Sequence, residues 1–88
     1  MIPQRRPDLM TRQIEGEVVI LDHEAGKVHQ LNPVASCIWN SCDGSSSVDS
    51  IAERLVATFD VAPEKALRDV EALVQELKVL GLLHVEHK

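Results

Sequence analysis

Eighty-eight residues make one small domain, and 44% of them are hydrophobic, with one Trp, one Phe and no Tyr; the core is thin and aliphatic, because a chain this short buries little more than roughly 60% of its unfolded surface. The formal net charge of −5 argues against bulk affinity for nucleic acid, which needs Lys and Arg clustered on one face. The longest aliphatic run, Val18 to Leu21, falls far short of the roughly 20 apolar residues of a membrane span, and no stretch reads as a signal peptide.

Residues 1–11 are expected to form a flexible arm, since Pro3, Gln4-Arg5-Arg6 and Pro7 show no periodicity. Residues 12–85 carry the folded unit. A short strand is expected over Thr11 to Glu15, a second over Val18 to Leu21 and a third over Lys27 to Leu31. Asp22 to Gly26 is the loop between the last two. Gly26 can supply a positive φ there, and Asp22 can bond back to the loop backbone, so the pair is expected to be antiparallel.

Three helices follow. Asn32 is a good N-cap and Pro33 loses no hydrogen bond at the first helical position, while Ala35, Ile38, Trp39 and Cys42 make one apolar face up to a stop at Gly44. Ser47 caps the second helix, whose apolar face is Val48, Ile51, Ala52, Leu55, Val56 and Phe59. Pro63 opens the third, with Ala66, Val70, Leu73, Val74, Leu77 and Leu80 expected to face inward and Gly81 to end it. Leu82 to Val85 either pairs briefly as a strand or packs back.

Little in this pattern suggests catalysis. His23, His29, His84 and His87 are dispersed over loop, strand and tail and do not converge as metal ligands do. Cys37 and Cys42 lie five apart on one helix and point in different directions. They read as unpaired apolar side chains of a reducing compartment, with the cytoplasm as the expected location. Ser45, Ser46 and Ser47 read as linker and cap, and the isolated glycines make no phosphate loop. Trp39 reads as core.

Two surfaces stand out instead. If Lys27 to Leu31 lies at a sheet edge, one row of its main-chain groups is unpaired and an extended peptide can add to it. Leu67 sits off the inward stripe of the third helix, beside Arg68 and Glu71, where it can border a groove. Strands followed by three helices also suit a winged-helix DNA binder. A reader helix is basic, however, and here Lys65, Arg68 and Lys78 face Glu64, Asp69, Glu71 and Glu76. A structural assembly subunit, such as a homodimer, is the third reading.

The ordered set Val19-Ile20-Leu21-Asp22, Gly26 to Ala35 with Leu31-Asn32-Pro33, Ile38-Trp39, Cys42-Asp43-Gly44, Asp69-Val70, Leu73, Leu77 and Leu80-Gly81-Leu82-Leu83 resembles the PqqD family, named for coenzyme PQQ synthesis protein D. The resemblance spans roughly residues 12 to 83. It implies an α+β, winged-helix-like domain: a three-stranded antiparallel sheet followed by three helices. It also implies a RiPP recognition element without enzymatic activity or cofactor. Such a domain binds the leader of a ribosomally made precursor peptide and presents it to a radical SAM iron–sulfur maturation enzyme, in PQQ biosynthesis or another peptide pathway. No metal, nucleic acid or membrane enters that role. Mapped onto this chain, the peptide joins Lys27, Val28, His29, Gln30 and Leu31 and lies against Leu67, Arg68, Glu71 and Val74.

Overall fold

The structure, a computed structural model, describes residues 2–86. Its centre is an antiparallel sheet in the order β2 (Met10–Ile14), β3 (Glu17–Asp22), β4 (Lys27–Gln30). Glu15 and Gly16 join β2 to β3 with φ of 51° and 81°. Positive φ at both central residues gives a tight hairpin whose twist matches that of its strands. The β3–β4 loop follows the expected chemistry: Gly26 has φ 65°, and the Asp22 carboxylate accepts from the Ala25 N–H at 3.3 Å. Along β3, Val18, Ile20 and Asp22 are buried while Val19 and Leu21 are half-buried, so one face of the sheet meets the helices and the other is open.

Helix α1 (Pro33–Ser41) starts where Asn32 Oδ1 accepts from the Ala35 N–H at 2.8 Å. Helix α2 (Val48–Phe59) starts where Ser47 Oγ accepts from the Ser50 N–H at 3.1 Å, and it ends at Asp60 in the left-handed region. Helix α3 (Pro63–Val79) begins on its proline, with no side-chain cap at Ala62. Trp39, Ile38, Ile20, Ile51, Leu55, Val70, Val74, Leu77 and Leu82 fill the centre, each no more than 2% exposed. Trp39 is therefore core, as its stripe position implies. Leu80 is not: it caps α3 and is 40% exposed, and Leu82, beyond the turn at Gly81, is the leucine that packs inside. Leu80 still has helical φ and ψ, and the 3.6-residue period puts it on a shoulder of the stripe made by Ala66, Val70, Val74 and Leu77 rather than at its centre.

The N-terminal segment also departs from expectation. Within the segment read as a flexible arm, Ile2–Arg5 forms a strand, β1, paired antiparallel with β5 (Leu83–Glu86), Pro3 opposite Val85 and Arg5 opposite Leu83. Pro3 is buried, and its C=O accepts from the Gly44 N–H at 3.1 Å, while the Arg5 N–H donates to the Cys42 C=O at 3.0 Å. Four residues containing a proline show no local period; their conformation is set by partners at the far end of the chain. Arg6 then ties the layers together. Its guanidinium donates to Asp8 at 2.8 Å, to Asp22 at 3.1 Å and to the Gly81 C=O at 3.0 Å. The Asp22 carboxyl is held below its ordinary range by the Ala25 N–H first and by Arg6 after it.

Candidate peptide-binding surface

Among the described residues β3 alone pairs with β4, which leaves the other side of β4 a free edge there. Register decides which groups are free. The Leu31 N–H donates to the Val18 C=O at 2.8 Å, and hydrogen-bonded pairs alternate along an antiparallel ladder, so His29 and Lys27 also turn their main-chain groups toward β3. Val28 and Gln30 then turn N–H and C=O outward. Their side chains stand on the open face of the sheet, where Val28 is 65% exposed in a cross-strand row with Leu21 and Met10. His29 is half-buried on the helix face, and the Leu31 side chain is core. Gln30 is steadied by its amide, which donates to Glu17 Oε1 at 3.0 Å.

Where β4 parts from β3, a side chain completes the ladder. Ser36 Oγ, buried in α1, accepts from the Val18 N–H at 2.7 Å and donates to the Leu31 C=O at 3.0 Å. The start of α1 is thereby fastened to the end of β4. Directly beside it, Asn32, Val34, Ala35 and Ile38 face Ala72 and Leu73 of α3 across a groove of about 400 Å³, with Asp69 and Glu76 on its rim. Asp69 is paired with Lys65 at 2.9 Å, so the apolar walls with the carboxylate of Glu76 suit an aliphatic or aromatic side chain carrying a basic neighbour. The β2 edge offers less: the cavities next to it are lined by Arg5, Arg6 and Asp43, or by Gln13, Asn40 and Arg54.

The expected α3 residues lie elsewhere. Leu67 and Glu71 line grooves shared with α2, together with Asp49 and Val48. Arg68 is exposed, and Val74 is 1% exposed with its side chain in the core. The structure thus brings Lys27, Val28, His29 and Gln30 together on the edge but puts Leu67, Arg68, Glu71 and Val74 outside the adjoining groove. The α3 residues that do line it, Asp69, Ala72, Leu73 and Glu76, sit on the opposite shoulder of the same helix. Periodicity identifies a stripe and its two shoulders; which shoulder borders the strands depends on how the helix packs.

Electrostatics at the surface are those of binding and folding. Burial pushes the Cys42 thiol up to about 12, which leaves it a poor nucleophile. Hydrogen bonds from the Ser45 N–H and hydroxyl hold the Asp43 carboxyl down to about 2, in the link between α1 and α2. Every buried side-chain nitrogen and oxygen among the described residues has a partner.

Comparison with known proteins gives the geometry a context. None of the curated proteins matches the chain. Among solved structures, a lasso peptide synthetase B1 complexed with its leader peptide is 29% identical over 97% of this chain and 100% of that one, with a TM-score of 0.84. TbiB1 in complex with the TbiA(beta) leader peptide shares 22% identity over 97% and 99% of the two chains, also with a TM-score of 0.84. The PqqD truncation of Methylobacterium extorquens PqqCD, described as a functional, stand-alone RiPP recognition element, shares 24% identity over 94% and 88%, with a TM-score of 0.73. The last two likenesses speak to the fold alone, an α+β domain of antiparallel sheet and three helices. The family model for coenzyme PQQ synthesis protein D matches residues 17–83, from the start of β3 to the start of β5, and the chain belongs to the PqqD family.

Proposed function

We propose that this chain is a RiPP recognition element that binds the leader of a ribosomally made precursor peptide by strand addition to β4 and presents it to a maturation enzyme. The observation that carries the reading is the open β4 edge running into an apolar groove, in a chain of the PqqD family. An incoming strand would pair with the N–H and C=O groups of Val28 and Gln30. Alternate side chains of that strand would enter the helix layer, where Val34, Ile38 and Leu73 offer apolar contact and Glu76 favours a Lys or Arg, Asp69 being paired already with Lys65. The domain contributes binding and orientation, and chemistry resides in the enzyme it serves, a radical SAM iron–sulfur protein of PQQ or related peptide maturation. The relative solved with its leader peptide supports the class of ligand.

Proline substitution at alternate positions tests main-chain recognition. Val28→Pro removes an outward N–H and leaves the β3–β4 ladder intact, whereas His29→Pro removes a ladder donor and weakens the fold. The probe is a candidate leader peptide taken from short open reading frames near the gene, titrated into labelled protein by NMR. Wild type should shift along Lys27 to Leu31 and at Asn32, Ala35 and Leu73. Val28→Pro should bind at least about tenfold more weakly, since it loses a bond of about 0.5–1.5 kcal/mol and sets a ring against the added strand. A folded Val28→Pro chain with unchanged affinity would remove the strand-addition model.

A further inference from the structure

The second shoulder of α3 has its own groove. Ala52 and Val56 of α2 face Pro63 and Leu67 of α3 around a cavity of about 520 Å³ edged by Asp49 and Glu53. One helical turn on from Leu67, Glu71 continues the same edge. Of the cations nearest in sequence, Arg54 donates to Ser41 Oγ at 2.8 Å, Lys65 is paired with Asp69 at 2.9 Å on the far side of α3, and Arg68, exposed beside Leu67, lines neither groove. Among the described residues no Lys or Arg makes an ion pair with Asp49, Glu53 or Glu71. An apolar floor edged by carboxylates without internal counter-charges is complementary to an apolar side chain flanked by Lys or Arg.

The shape of the site narrows the occupant. Both walls are helices whose main-chain groups, beyond their first turns, are spent internally, so they offer no extended row of N–H and C=O groups for strand addition. Recognition here must run through side chains. From Pro63 to Glu71 the α3 wall rises about 12 Å, at about 1.5 Å per residue. Apolar residues at i, i+4 and i+7 of an incoming helix cover nearly the same length. We infer that the α2–α3 groove is a docking surface for a basic amphipathic helix of a partner protein, separate from the β4 edge. The two surfaces lie on opposite shoulders of α3, so both can be filled at once, and the inference stands whether or not β4 takes a peptide.

The probe is a synthetic helix of Leu, Lys and Ala with Leu at i, i+4 and i+7 and Lys beside them, titrated into the labelled full chain. Two controls accompany it: the same composition with the leucines scattered, and the patterned helix with Glu in place of Lys. Amide shifts should concentrate at Ala52, Glu53, Val56 and Leu67, leave Val28 and Gln30 in place, and weaken steeply with salt. The exposed double substitution Glu53→Lys with Glu71→Lys should leave the melting temperature near that of wild type and reduce affinity at least tenfold. Equal shifts from either control peptide, shifts at β4 and Asn32 instead, or unchanged affinity in the charge-reversed chain would each overturn the proposal. So would the same residues shifting with protein concentration alone, which would make a second copy of the chain the occupant.

Discussion

Asp43 shows how much a single side chain carries in a domain with so thin a core. Its Oδ1 accepts from the Ser45 N–H at 2.9 Å, the Ser45 hydroxyl at 3.0 Å and the Ser46 N–H at 3.1 Å, closing the turn between α1 and α2. Next to it, Gly44 at φ 83° lies so close to Gln4 that an added Cβ would stand 3.0 Å from the Gln4 side chain. Those bonds hold the Asp43 carboxyl down to about 2, below the roughly 3.9 of an unfolded chain. A group whose folded value is lowered adds stability that is complete above the unfolded value and is lost as pH falls through the folded one. Asp43→Asn should therefore melt below wild type at neutral pH, and the gap should close between about pH 4 and about pH 2. Thermal melts across that range check it; a gap unchanged at the acid end would mean that the charge is not its source. Asp43-Gly44 was legible in the sequence as a helix stop. Its contact with Gln4 was not, because that partner lies in β1 and leaves no local pattern.

At the scale of elements, Ser36 joins sheet to helix. Ser36→Ala would leave the Val18 N–H and the Leu31 C=O buried without their shared partner, at about 1–3 kcal/mol for each group. Urea unfolding should show a loss well above that of the exposed Ser50→Ala, and the end of β4 should lose hydrogen-exchange protection first. A loss no larger than that of Ser50→Ala would mean that water replaces the hydroxyl. Ser36 was hidden in the sequence: a serine inside a helix pattern carries no sign of the strand it serves. Elements governed by their own residues were legible, among them the caps Asn32 and Ser47, the β3–β4 loop and the inward faces of α1 and α2. What depended on packing between elements was not legible. Leu73, expected on the inward stripe, is only half-buried and is a shoulder like Leu67 on the other side, and only the placement of α3 against α1 and α2 assigns Leu73 to the groove beside β4 and Leu67 to the acidic one.

The molecule as a whole is closed by its termini. Removing residues 1–5 would delete β1, strip β5 of its strand partner, and take away the bonds from Arg5 to Cys42 and from Gly44 to Pro3. Several backbone bonds at about 0.5–1.5 kcal/mol each are a large share of a total stability of about 5–15 kcal/mol. The melting temperature should fall by more than about 10 °C, since about 1 kcal/mol moves a domain of this size by about 4–8 °C. Binding should respond differently. β4 belongs to the other sheet and its groove is built from α1 and α3, so where the shortened chain is still folded its affinity for the precursor peptide should stay within about twofold, as expected of sites that share no partner. A melt paired with a titration reads both quantities on one sample. Lost stability with retained affinity would separate the strand that closes the domain from the edge that binds. A shortened chain melting with the full-length one would return residues 1–5 to the loose arm that their sequence suggests, and affinity lost in step with stability would tie β1 to the peptide edge through the Arg6 contacts with Asp22 and Gly81.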